Sequence, residues 1–188
     1  MVDQKNKIIV IVGLPGTGKS ALAHYMSEGG VPRVSFGSIV NNAVAEAGLE
    51  LNIENERSVR EKLRLDPSGD KVAEEVINQV NVLLNSGQHR ILVDGLGSWD
   101  TYKRLRHEYH SDLIVVALTA RRYIRHRRLA ERKELPLTAA EVDVRDYDEI
   151  ETLNKGGVIA IADYYLFDNG SLEQLHIQID DLLREIEF

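Results

Sequence analysis

A glycine-rich segment near the N-terminus carries the most specific chemistry in the chain. It matches the pattern G-x-x-x-x-G-K-[ST] at every fixed position, with the residues Gly13, Leu14, Pro15, Gly16, Thr17, Gly18, Lys19 and Ser20. Glycines let successive backbone N–H groups point at phosphate oxygens, and a following helix adds its positive N-terminal end. We expect Lys19 to bridge the β- and γ-phosphates of ATP and Ser20 to ligate Mg²⁺.

A chance match in a glycine-rich turn is the alternative interpretation of this segment. An apolar, β-branched run precedes it at residues 7–12, and a helical pattern follows it at residues 19–28. A position between a strand and a helix is the context that a working phosphate loop requires. The context therefore favours a nucleoside triphosphate site.

A carboxylate follows another apolar run. Asp94 and Gly95 come directly after the predicted strand at residues 90–93. At the carboxyl end of a central parallel strand, Asp94 would lie beside the phosphate loop and organise magnesium or contact the substrate. Asp-Gly is also a common turn pair, so a plain turn is the alternative.

An arginine stripe is predicted on the helix at residues 120–134. Its members are spaced four, three and four apart and share one helix face: Arg121, Arg125, Arg128 and Arg132. Guanidinium groups suit phosphoryl oxygens, whereas the alternative is a solvated face paired with carboxylates of a helix at residues 139–153. We expect this pairing for Arg121, Arg122, Arg125 and Arg127. Arg145 is a further candidate, because an arginine in a mobile cap can complete a site on closure.

Strand and helix patterns alternate about five times along the chain. Strands are predicted at residues 7–12, 31–35, 90–93, 113–118 and 164–167. Helices are predicted at residues 19–28, 37–47, 54–65, 72–84, 98–110, 120–134 and 139–153, with a last one capped by Ser171. This order predicts an α/β fold, with a parallel five-stranded sheet, helices on both faces and ligands at the carboxyl ends of the strands.

Composition narrows the classes of partner. The 188 residues fit one domain, and the net charge of −7 disfavours nucleic acid as a partner. There is no cysteine, which excludes disulfides and thiolate metal sites. The first apolar run, Ile8–Val12, is shorter than a signal or membrane-spanning segment, so we expect a cytoplasmic protein without a membrane partner. Nothing in the sequence predicts the oligomeric state.

These motifs together resemble those of the nucleoside monophosphate kinase group of P-loop proteins. The shared features are the phosphate loop, a strand ending in Asp-Gly, an Arg-x-x-x-Arg pair and a short arginine-bearing lid. The segment 162–172, with its approach at 156–163, is similar to the ending of dephospho-CoA kinases and of the related dephospho-CoA-kinase-like (adenylate-kinase-related) proteins. The likeness extends over nearly the whole chain, and its two ends are the specific parts.

The resemblance implies a single P-loop kinase-like domain, a three-layer sandwich spanning residues 1–188. It implies a helical substrate-binding insertion at about 37–68 and a lid at about 132–146. It further implies that Arg128 and Arg132 approach the transferring phosphates, and that Asn169 and Gly170 lie near the adenine.

The acceptor half departs from the pattern of these families. The run at residues 94–98 has a glycine where an arginine is frequent, and the run at residues 34–38 lacks a carboxylate suited to activating an acceptor hydroxyl. Acceptor contacts are expected instead from Ser35, Arg57, Arg60 and Arg64. The sequence thus favours ATP-dependent phosphoryl transfer to a small nucleotide-like or CoA-like metabolite. The alternative is a regulatory or slowly hydrolysing ATPase with an altered acceptor site.

Overall fold

A parallel five-stranded sheet forms the centre of the computed structural model, which describes residues 5–133 and 135–188. In chain order the strands are β1 (Lys7–Val12), β2 (Arg33–Ser35), β3 (Arg90–Asp94), β4 (Leu113–Thr119) and β5 (Tyr164–Phe167). Their spatial order in the sheet is β2-β3-β1-β4-β5. All neighbouring pairs are parallel, so the carboxyl ends of the strands meet at one edge, where open α/β sheets bind ligands.

Helices connect and cover these strands. In chain order they are α1 (Lys19–Glu28), α2 (Phe36–Glu46), α3 (Ile53–Arg64), α4 (Lys71–Asn85), α5 (Trp99–Tyr109), α6 (Arg122–Ala130), α7 (Ala139–Tyr147), α8 (Lys155–Ala160) and α9 (Leu172–Glu185). A short 3₁₀ turn lies at His110–Asp112, and a π-helical turn at Asp148–Thr152. The predicted α/β P-loop fold is confirmed.

Two apolar layers hold the helices on the sheet. Successive side chains of β1 point to opposite faces, so Ile8 and Val10 pack with α2, α4, α5 and α8, while Ile9 and Ile11 pack with α1 and α9. Residues Ile8–Val12 are at most 1% exposed, as expected for a central parallel strand. A separate small cluster, made of Leu129, Leu137 and Val142, joins α6 to α7.

The predicted elements differ from the observed ones mainly in the last third of the chain. The single helix predicted at 139–153 is α7 followed by the π-helical turn, and α8 was not predicted at all. Gly156 and Gly157 lie inside α8, and glycine disfavours helices by about 1 kcal/mol relative to alanine, so local propensity concealed this helix. The arginine-rich helix ends at Ala130, and Glu134 lies outside the described residues.

The segments predicted as the substrate-binding insertion and the lid contain helices. Residues 37–68 contain nearly all of α2 and the whole of α3, and α7 lies mostly within the predicted lid at 132–146.

Across residues 5–133 and 135–188, no helix combines the length and the apolar character that crossing a bilayer requires.

Candidate active site

A positively charged cavity of about 470 Å³ lies at the carboxyl edge of the sheet, beside the phosphate loop. Seven cationic and three acidic side chains line it: Lys19, Arg33, Arg60, Arg128, Arg132, Arg145 and Lys155, with Glu56, Asp94 and Glu149. The cavity therefore carries an excess of four positive charges in a chain whose net charge is −7. Such a concentration raises the local concentration of anions.

Close packing explains the glycines of the phosphate loop. Gly16 and Gly18 have φ angles of 80° and 95°, which side-chain-bearing residues rarely adopt. A Cβ atom at Gly13 would lie 2.3 Å from the carbonyl oxygen of Leu118 in β4. The loop can therefore approach β4 this closely only with glycine at position 13.

The Lys19 ammonium group is hydrogen-bonded to backbone carbonyl groups of the phosphate loop. Its Nζ donates hydrogen bonds to the carbonyl oxygens of Gly13 (2.7 Å) and Leu14 (3.1 Å). Burial, reinforced by the neighbouring Lys155, lowers the pKa of Lys19 to about 8, although Glu149 and Asp94 act in the opposite direction. A lysine with this pKa is still mostly protonated at neutral pH and can pair with phosphate oxygens.

Asp94 and Ser20 line the same cavity as Lys19, and they are the residues predicted to hold Mg²⁺. Asp94 forms an ion pair with Arg33 of β2, one strand away. Within the described part of the chain, no group of three or more histidine or acidic side chains is placed to hold a metal. One hydroxyl and one carboxylate nevertheless fit Mg²⁺, which commonly takes its other ligands from substrate phosphates and water.

A buried carboxylate orients Arg128. The Arg128 guanidinium donates to both oxygens of Asp168, at 2.8 and 2.9 Å, and Asp168 is only 3% exposed. Asp168 also lies against Gly18, where a Cβ atom would approach its Oδ2 to 2.2 Å. Arg128 is thus held at the mouth of the phosphate loop by the segment that follows β5. The sequence did not indicate a role for Asp168.

Two further arginines line the cavity, Arg132 after the end of α6 and Arg145 on α7. Arg145 of α7 lies 3.9 Å from Glu56 of α3. Burial lowers the pKa of Arg132, and the adjacent Arg145 lowers it further, although Glu56 opposes both. Arginine remains charged at neutral pH in proteins despite such effects. The mutual repulsion of these guanidinium groups would be relieved by an anion between them.

Glu149 and Lys155 form a buried ion pair that the sequence prediction missed. Glu149 lies on the π-helical turn, a feature that is frequent at functional sites, and is 6% exposed. Burial alone would raise the pKa of Glu149. The positive charges of Lys155, Lys19 and Arg60 outweigh burial and hold this pKa below its ordinary value. Neither residue belongs to a sequence motif. Glu149 lies on the π-helical turn and Lys155 on α8, and only the folded chain brings them to the cavity.

The remaining predicted acceptor residues are dispersed. Ser35 lines the charged cavity, where its Oγ caps α2 by accepting from the Ser38 N–H at 3.2 Å. Arg60 also lines it, whereas Arg57 lines a second cavity between α3 and α7. Arg64 pairs with Glu61 and is not among the residues that line either cavity.

The predicted adenine segment lies next to the start of α6. The Oδ1 of Asn169 accepts a hydrogen bond from the backbone N–H of Arg121 at 2.8 Å. Gly170 is packed against Gln174, since a Cβ atom there would approach the Gln174 Oε1 to 1.8 Å. Neither Asn169 nor Gly170 is among the residues that line the charged cavity.

Packing explains why residue 97 is a glycine, although the kinases that the sequence resembles often have an arginine at this position. A Cβ atom at Gly97 would lie 2.3 Å from the Phe36 ring, so no side chain fits there without moving that ring. Arg33, which the sequence prediction missed, supplies a cation to the same cavity from β2.

Arg125 differs from the other arginines assigned to a solvated face. It is 5% exposed and donates to both oxygens of Asp146 in α7, at 2.9 and 2.7 Å. It also donates to the Pro15 carbonyl at 3.1 Å. The predicted pairing with the following helix is therefore correct for Arg125, and also for Arg122, which pairs with Asp143. The predicted solvation of Arg125 is wrong, because α6 turns this residue between the phosphate loop and α7.

This buried pair predicts a large stability difference between two arginine variants. Arg125→Met would leave the Asp146 carboxylate buried and unpaired, which costs about 3–5 kcal/mol of unfolding free energy. Arg122→Met removes an exposed pair and is expected to cost at most about 1 kcal/mol. Urea unfolding of both variants measures the difference, and equal losses would contradict the structural role of Arg125.

Comparison with known proteins places this site in a family. Residues 9–154 match a family model described as an AAA domain. A UPF0200 protein of Thermococcus kodakarensis is 34% identical over 182 residues, which cover 95% of this chain and 97% of that protein.

Solved kinases share the fold at low sequence identity. Shikimate kinase from Acinetobacter baumannii, solved with shikimate, superposes with a TM-score of 0.61 at 19% identity and covers 97% of this chain and 94% of that one. A sugar kinase from Janibacter sp. has a TM-score of 0.60 at 17% identity, with coverages of 97% and 95%. The chain therefore belongs to the family described as an AAA domain and to the UPF0200 proteins. It has a P-loop kinase-like fold.

Proposed function

We propose that the protein transfers the γ-phosphoryl group of ATP to a small nucleotide-like or CoA-like metabolite. The observation that carries this proposal is the charged cavity, where seven cations and a buried carboxylate converge on the phosphate loop. A passive nucleotide-binding site needs cations for the phosphates of one ligand. The further cations that β2, α3, α7 and α8 contribute to the same cavity suit a second anionic ligand.

The donor half consists of the phosphate loop and the residues around it. Its N–H groups and Lys19 hold the β- and γ-phosphates, and Ser20 and Asp94 hold Mg²⁺, which when bound neutralises charge that develops on the phosphates. Arg128, anchored by Asp168, keeps the loop in place, while Arg132 approaches the transferring group. The adenine lies towards Asn169 and Gly170, beyond the start of α6.

The acceptor half supplies a base as well as cations. We assign the role of base to Glu149, because it is a buried carboxylate that lines the charged cavity together with Lys19. The acceptor hydroxyl oxygen forms a bond to the γ-phosphorus, its proton passes to Glu149, and the bond to the β–γ bridging oxygen breaks. ADP leaves with that electron pair. Arg33, Arg60 and Arg145 are placed to hold an anionic group of the acceptor, and Ser35 contacts it.

A slowly hydrolysing regulatory ATPase is the second candidate. The packing of Phe36 against Gly97, which excludes an acceptor arginine there, favours it. In that case water takes the place of the acceptor, and the charged cavity binds an effector rather than a substrate.

The fate of the γ-phosphate tests the two candidates. The protein is incubated with γ-labelled ATP and Mg²⁺, together with nucleoside monophosphates, dephospho-CoA, shikimate and sugars in turn. We expect the label on a nucleoside monophosphate or on dephospho-CoA, at a rate at least tenfold above release of free phosphate. Label found only as free phosphate across the panel would favour the ATPase instead.

A further inference from the structure

A second cavity of about 480 Å³ opens between α3 and α7, next to the charged one. Its apolar wall is formed by Ile53, Leu137, Ala140 and Val144. Two of these side chains remain strongly exposed, Val144 at 61% and Ile53 at 39%. The volume is within the range of small-molecule sites, which are mostly apolar with a few placed polar groups.

The two cavities adjoin each other, because three residues line both of them. These residues are Glu56, Arg60 and Arg145. They form a boundary made of long, loosely paired contacts. Arg145 lies 3.9 Å from Glu56, and Arg60 lies 3.3 Å from Asp148 and 3.7 Å from Glu56. Both guanidinium groups can therefore donate shorter hydrogen bonds to an incoming anion.

A molecule that binds at this boundary meets different chemistry in each direction. Towards the phosphate loop it meets cations and Glu149. Towards the second cavity it meets the apolar wall with Ile53 and Val144, and the carboxylates Glu54, Glu141 and Asp148 also line that cavity. An occupant with an anionic group between Arg60 and Arg145 would point any remaining atoms into the apolar cavity. A fully polar acceptor would leave these apolar side chains in water and gain nothing from them.

We propose that the second cavity is a subsite for the apolar portion of the phosphate acceptor. The acceptor is then a small amphiphilic anion, with its anionic group at Arg60 and Arg145 and a chain or ring of several carbons between α3 and α7. This inference rests on the proposed function and narrows its substrate class. It also makes Ile53 and Val144 specificity-determining residues.

Binding of a homologous series of alkyl phosphates tests the subsite without ATP or turnover. The dissociation constants of methyl, butyl and hexyl phosphate are measured by calorimetry. Burial of each added methylene is expected to tighten binding by about two- to fourfold in the wild-type protein. Val144→Asp, at an exposed helix position, is expected to reduce this increment to nearly none, and its added negative charge is expected to weaken the binding of methyl, butyl and hexyl phosphate alike.

Val82→Asp is the matched control, because Val82 is 68% exposed on α4 and lines neither cavity. It should keep the wild-type increment per methylene. A second variant, Ile53→Ser on the opposite wall, should reduce the increment as Val144→Asp does. Binding that is independent of chain length in the wild type, or an increment that survives both wall variants, would overturn the subsite.

The outcome is separate from that of the transfer assay. If the alkyl series binds as expected but no acceptor takes label from ATP, the proposed function fails while the amphiphilic anion site stands. If label is transferred but binding is independent of chain length, phosphoryl transfer stands and the subsite is wrong.

Discussion

Lys19→Ala is expected to weaken the binding of MgATP by roughly 30- to 4,000-fold, because it removes a buried cation that would pair with the β- and γ-phosphates. Loss of one partner of a buried, hydrogen-bonded charge pair costs about 2–5 kcal/mol of binding free energy. In the structure the Lys19 ammonium already lies in the loop, bonded to the carbonyls of Gly13 and Leu14. Calorimetric titration with MgATP measures the change.

Two controls separate this effect from general damage. Lys62→Ala removes an exposed lysine of α3 and should leave the dissociation constant within about twofold of wild type. The folded Lys19→Ala protein should be no less stable than wild type, since burial of the Lys19 charge is unfavourable. Unchanged ATP affinity in a folded Lys19→Ala protein would refute the phosphate site.

The pH dependence of binding provides a second measurement on Lys19. Its pKa of about 8 means that the free protein loses this charge as the pH rises through 8. Bound phosphates stabilise the protonated form, so wild-type affinity is expected to be constant below pH 8 and to fall by up to tenfold per pH unit above it. Lys19→Ala should lack this fall.

Glu149→Gln is expected to lower the rate of phosphoryl transfer by about 10²- to 10⁴-fold while MgATP still binds. The amide has the size of the carboxylate but cannot accept the acceptor proton, and loss of a general base has an effect of this magnitude. The measurement is single-turnover transfer of label to the acceptor that the panel identifies. Glu151→Gln, at an exposed position on the same π-helical turn, should leave the rate unchanged within about twofold.

The pH–rate profile distinguishes a base from a residue that only orients Lys155. The pKa of Glu149 is held below its ordinary value. The wild-type rate should therefore stay constant as the pH falls, down to pH values below the pKa of an ordinary glutamate. Glu149→Asp should recover part of the rate and keep an acid limb, whereas Glu149→Gln should have none. A Glu149→Gln enzyme with wild-type kcat would remove Glu149 from the mechanism.

The phosphate loop and the sheet were both predictable from the sequence. Each depends on local patterns: fixed glycine spacing between residues 13 and 18, and apolar runs such as Ile8–Val12 that suit a buried parallel strand. The capping box at the start of α9 was also predicted, since Ser171 and Gln174 are three residues apart and bond as expected. Such features need only neighbouring residues, so the sequence alone specifies them.

The charged pairs around the phosphate loop were not predictable in the same way. Asp168 holds Arg128 across 40 residues, and Arg125 holds Asp146 across 21. Glu149 enters the site on a π-helical turn, and α8 with its two glycines brings in Lys155. Spacing rules extend over one or two helical turns and say nothing about pairs this distant.

The sequence by itself thus determined the α/β class, the parallel sheet and the phosphate-binding loop, because these follow from residue type and short-range periodicity. Only the tertiary structure decided which charged side chains share the cavity. It placed Glu149, Lys155 and Arg33 there, and left Arg64 outside both cavities. The physical reason is that a charged side chain far from a motif acquires its role from burial and from partners that the chain brings together only on folding.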